Sequence, residues 1–83
     1  MPATDTEPII YNRLAAARIE RGIERTELSQ MIGVTPQLLG YIELGKYRPD
    51  LALALRISEA LGLPLEQVFS LHPFEQEYGP RMM

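Results

Sequence analysis

The chain has 83 residues, 46% of them hydrophobic, which is enough for one compact core and too few for two. With no cysteine and a single histidine, His72, it excludes disulfides, a thiolate nucleophile and a cysteine- or histidine-rich metal site. The formal net charge of −3 argues against binding nucleic acid through bulk positive charge, but the distribution is uneven: Arg13, Arg18, Arg21, Arg25, Lys46 and Arg48 gather in the middle of the chain and acidic residues weight both ends.

Residues 1–8 carry two prolines, two threonines and two acids with no apolar period, and read as a flexible tail. Ile9-Ile10-Tyr11 is a β-branched and aromatic patch long enough for a short strand. Asn12 is placed to cap a first helix, with Leu14, Ala17, Arg18 and Arg21 on one stripe and Gly22 after its end. A second helix is expected over about 25–32, with Leu28, Met31 and Ile32 at helical spacing and Gly33 as its stop. Thr35 caps a third helix whose first position is Pro36, whose inward residues are Leu39 and Ile42, and which Gly45 ends. After the loop Lys46-Tyr47-Arg48-Pro49, Asp50 caps a fourth helix over about 51–61, with Leu51, Ala54, Leu55, Ser58 and Leu61 on its face and Gly62 beyond it. Pro64 starts a brief fifth helix running to Val68, and Phe69-Ser70-Leu71-His72 alternates like a strand. Residues 74–83 read as a second flexible tail. Apolar runs fall far short of the roughly 20 residues that span a bilayer, and the polar, acidic N-terminus is unlike a secretory signal, so a cytoplasmic protein without membrane partners is expected.

Two short helices joined by Gly33-Val34-Thr35 occupy the centre of the chain. Ser29 gives the first of them a small inner-face side chain, which a steep, close crossing requires, and Gly33 suits a turn that needs positive φ. This is the arithmetic of a helix-turn-helix, whose second helix lies in the major groove of DNA.

The residues that carry a resemblance are Asn12-Arg13-Leu14, Arg18 with Gly22-Ile23, Glu27-Leu28-Ser29, Ile32-Gly33-Val34-Thr35-Pro36-Gln37, Ile42-Glu43, Gly45-Lys46-Tyr47, Pro49, Leu53-Ala54-Leu55 and Ala60-Leu61-Gly62, closing on Leu65-Glu66-Gln67-Val68-Phe69. Over residues 12–69 the sequence resembles the helix-turn-helix domain of the phage Cro/C1 repressors and related regulators, the XRE family. Its ends are similar to the small subgroup typified by the cytolysin repressor, in which an N-terminal strand pairs with one that follows the last helix. The resemblance implies a mainly all-α, five-helix lambda-repressor-like fold, with a short two-stranded antiparallel sheet made by the ends. It also implies a homodimer and double-stranded operator DNA as partner. The domain is expected over residues 9–73, with its dimerisation element at 65–73.

Within that frame Gln37 is the first candidate for base readout, since its amide both donates and accepts, as adenine N6/N7 requires. Tyr41, four residues on, shares the face and reaches a base edge or a phosphate, or is merely exposed. Leu38 meets a thymine methyl or faces a protein. Arg25, Thr35, Lys46 and Arg48 are the candidate phosphate contacts, with Arg25 alternatively a solvated arginine. The family pattern implies an internal ion pair between Arg18 and Glu43. Arg13 and Arg21 read as solvated. Leu65, Val68, Phe69 and Leu71 are many apolar groups for the end of so small a domain and are the candidate dimer interface; the alternative is that they close the monomer's own core. Four features depart from the family pattern: Glu24 stands at the cap of the second helix, Arg25 replaces the usual glutamine at its start, Leu38 replaces a usually polar residue, and Gly40 sits inside the third helix, where close approach of DNA or of the first helix would explain it. The chain holds no nucleophile-elbow pattern and no phosphate loop, so no catalytic residue, cofactor or metal is expected. The leading expectation is a sequence-specific transcriptional regulator that represses by occupying a near-palindromic operator with half-sites about 34 Å apart. The alternative is a protein-binding helix-turn-helix module, such as an antitoxin or a regulator of another transcription factor.

Overall fold

A computed structural model of the protein describes residues 8–74, so both expected tails lie outside the described residues except for Pro8 and Phe74. Four α-helices follow a first short strand: β1 (Tyr11–Asn12), α1 (Leu14–Glu20), α2 (Arg25–Ile32), α3 (Pro36–Glu43) and α4 (Leu51–Leu61). A 3-10 turn (Leu65–Gln67) leads into β2 (Phe69–Ser70). The strands pair antiparallel, Tyr11 opposite Ser70 and Asn12 opposite Phe69, and the Arg13 amide extends the ladder by donating to the Val68 carbonyl at 3.0 Å. The two ends of the domain are thereby joined.

Local chemistry sets the helix boundaries. The Thr35 hydroxyl accepts the Leu38 amide at 3.1 Å, and an Asp50 carboxylate oxygen accepts the Leu53 amide at 2.9 Å, so α3 and α4 each start on a satisfied cap. Gly33, at φ +79°, turns the chain out of α2 in the left-handed conformation that a side chain disfavours. Leu14, Ala17, Leu28, Ile32, Leu39, Ile42, Leu53, Ile57, Leu61 and Val68 form one core at the meeting point of the four helices. Ser29 is buried there and satisfies its hydroxyl on the Thr26 carbonyl at 2.8 Å.

Five sequence expectations are corrected. The fifth helix is a single 3-10 turn: Pro64 stays extended, and the Val68 amide already closes on Leu65 before strand pairing takes over. The buried face of α4 is Leu53, Ala54, Ile57, Ser58 and Leu61, while Leu51 and Leu55 are exposed. Met31 is likewise exposed. Val68 is fully buried in the core of its own subunit and is therefore unavailable as a dimer contact. Arg13 is not solvated: its guanidinium is mostly buried and pairs with Glu20 at 2.7 Å.

Candidate nucleic-acid interface

The helix-turn-helix consists of α2, the turn Gly33-Val34-Thr35 and α3. Its geometry is fixed from three sides. At the end of α2, Arg56 of α4 donates to the Ile32 carbonyl at 3.1 Å. At the end of α3, the Asn12 amide donates to the Ile42 carbonyl at 3.1 Å while its oxygen accepts the Leu14 amide at 2.9 Å. One side chain thus tethers the start of α1 and the last turn of α3 together. Between them, the Glu43 side chain is only 4% exposed and lies between two guanidinium groups, with Arg18 Nε at 2.8 Å and Arg25 Nη2 at 3.1 Å. Arg18 also donates to the Ile23 carbonyl at 3.0 Å. A buried carboxylate flanked in this way ties α3 to α1 and α2, and removing it would leave the mostly buried Arg18 guanidinium uncompensated.

With Leu39 and Ile42 turned into the core, α3 presents Pro36, Gln37, Tyr41 and Leu44 outward. Gln37 Nε2 donates to the Tyr41 hydroxyl oxygen at 3.1 Å, one helical turn away. Leu38 is half-buried and packs on the core, so only part of it faces outward. Thr35 is exposed at the head of α3 and Lys46 beyond its foot. Arg48 is exposed and reaches back to the Pro8 carbonyl at 2.7 Å. Arg25 is half-exposed beside the same face, shared between Glu43 and solvent. Its guanidinium also accounts for the space at Gly40, where an added Cβ would lie 3.7 Å from Arg25 Nη1; the first helix is not the neighbour. Glu24 makes no side-chain cap bond to α2.

A second surface lies at the joined ends. Leu65, Phe69 and Leu71, with Ile10, line a shallow apolar cavity of about 350 Å³; Leu71 is 57% exposed, and Ile9 next to Ile10 is exposed as well. Sequence reasoning missed Arg56 and the second bond of Asn12. Arg56 stands in no motif, Asn12 was read only as a helix cap, and both act on backbone carbonyls that only the tertiary fold brings near.

An outward helix held by a buried ion cluster, set across a glycine turn from its partner, defines a helix-turn-helix protein. The chain matches the helix-turn-helix family HTH_3 over residues 14–68 and belongs to it, which makes it an XRE-type, non-enzymatic helix-turn-helix regulator. It is 38% identical over 60 residues to the HTH-type transcriptional regulator YgzD of Bacillus subtilis, covering 72% of this chain and 91% of that one. A regulator of Methanothermobacter thermautotrophicus is 44% identical over 55 residues, covering 65% of this chain and 80% of its own. Among solved structures, the clp gene regulator ClgR of Corynebacterium glutamicum superposes with a TM-score of 0.62 at 27% identity, over 63% of this chain and 55% of that one. An HTH_3 family transcriptional regulator from Vibrio cholerae superposes with a TM-score of 0.59 at 30% identity, over 65% of this chain and 30% of that one. This chain therefore spans about half of the ClgR chain and less than a third of the Vibrio one. No helix among the described residues is long and apolar enough to cross a membrane.

Proposed function

We propose that the protein is a sequence-specific DNA-binding transcriptional regulator of the cytoplasm, a repressor that occupies a near-palindromic operator as a homodimer. The observation that carries this reading is the outward face of α3. Gln37 and Tyr41 stand clear of the core on that face, and Arg25, Thr35, Lys46 and Arg48 are exposed as well. Gln37 and Tyr41, with the exposed edge of Leu38, face the bases, and the other four residues face phosphates. The apolar surface of Leu65, Phe69 and Leu71 carries the subunit contact, within a working domain of residues 9–73. Pairing of β1 with β2 supports the likeness to the cytolysin-repressor subgroup.

A second reading has its own support. Leu44 is 70% exposed, and Tyr41 and Tyr47 are exposed near it, on a chain of net charge −3. Such a face suits a protein partner.

The two readings differ in their response to salt. An electrophoretic shift with duplex DNA from upstream of the protein's own gene, run at 50 and 200 mM salt, is the test. Phosphate binding releases counterions, so about six to ten phosphate contacts across a dimer would weaken binding by roughly 10³–10⁵-fold between those conditions. Absence of any shift, with a salt-insensitive complex to another protein, would establish the second reading instead.

A further inference from the structure

The Gln37–Tyr41 hydrogen bond has a direction, and that direction selects a base. A glutamine amide owns two N–H donors and one carbonyl acceptor. In this structure Nε2 spends one N–H on the Tyr41 hydroxyl at 3.1 Å, leaving one donor and Oε1. The major-groove edge of adenine offers one acceptor, N7, and one donor, N6–H, which this remainder matches. Guanine offers two acceptors, N7 and O6, so the tethered amide could satisfy only one of them and would set Oε1 against the other. From this geometry we infer that Tyr41 is a specificity-determining residue. By engaging one donor of Gln37 it commits that side chain to adenine and against guanine.

The hydroxyl accepts from Gln37, so its own proton remains available for a phosphate oxygen, which would hold the pair in place on the duplex. Both side chains are exposed on α3 and neither belongs to the core, so removing one oxygen from Tyr41 leaves the fold intact. The reverse pairing, with the hydroxyl donating to Oε1, would leave two N–H groups and would suit guanine.

This inference rests on the DNA-binding reading above. The test is selection from a duplex library with a randomised core of about 20 base pairs, read out by sequencing, for the wild type, Tyr41→Phe and Gln37→Ala. The wild type should enrich one adenine in each half-site over guanine by about tenfold or more. Tyr41→Phe should enrich the same motif with that preference reduced severalfold and the other positions unchanged. Gln37→Ala should lose the preference there altogether. A guanine at the Gln37-dependent position, or a Tyr41→Phe motif identical to the wild type, overturns the inference while leaving DNA binding in place. A library in which none of the three proteins enriches any sequence overturns the DNA-binding reading and this inference with it.

Discussion

At the scale of single residues, the proposed division into residues that read bases and residues that hold phosphates makes separable predictions. Gln37→Ala should weaken binding to the specific site by about 1–3 kcal/mol and leave random-sequence DNA bound as before, measured by competition titration. Lys46→Ala should weaken all sequences alike and lower the slope of log affinity against log salt by about one. Glu43 answers to stability instead. Glu43→Ala strands the mostly buried Arg18 guanidinium and should cost roughly 3 kcal/mol in denaturant unfolding, seen as a lower midpoint at unchanged slope. Arg25→Ala removes only the half-exposed partner and should cost less than about 1 kcal/mol. An equal loss for both would show that the cluster does not depend on burial. Arg18 and Glu43 were identifiable in the sequence from the family pattern. Arg25 as a second partner of Glu43 was not, because the two are 18 residues apart and meet only once α2 and α3 have crossed.

Helix starts and stops were legible wherever a short polar side chain or a glycine does local work, as at Thr35, Asp50, Gly33 and Gly62. Asp50→Ala should therefore lower stability by about 1 kcal/mol through loss of the α4 cap. The phase of α4 was legible in part: Ala54, Ser58 and Leu61 are buried as expected, whereas Leu51 and Leu55 are exposed and Leu53 and Ile57 take their place. Leu51, Leu53, Leu55 and Ile57 alternate along a helix that also carries Ala54, Ala60 and Leu61, so apolar groups flank the face on both sides and periodicity leaves its edges open. Packing into the common core makes the choice and buries Leu53 and Ile57. The brief fifth helix failed for a related reason: so short an apolar segment lacks the length to separate a helix from a turn. Gly40 offers a test of helix energetics inside the recognition element. A methyl there meets only Arg25 at ordinary contact distance, so Gly40→Ala should raise stability by about 1 kcal/mol in thermal or denaturant unfolding.

Residues 8–74 form a small core whose two strands join its ends, with an apolar surface at the join. If that surface carries the subunit contact, Leu71→Glu should yield a folded monomer in sedimentation equilibrium, since Leu71 is exposed and contributes nothing to the core. Operator affinity should then fall about a hundredfold or more as the second half-site is no longer delivered at high local concentration. A dimer that persists in that variant would place the contact elsewhere. Composition pointed to an apolar excess at this end of the chain, but could not separate Val68, which the core consumes, from Leu71, which it does not. The clasp that Arg56 places on the Ile32 carbonyl bears on transplantation. The segment from Glu24 to Gly45 contains every letter by which the motif is spelled, yet its crossing angle is maintained by Asn12, Arg18 and Arg56, all outside it. A chimera seeking to borrow this reading head must import those three side chains with it, or the grafted rod will sit at whatever tilt its new host dictates.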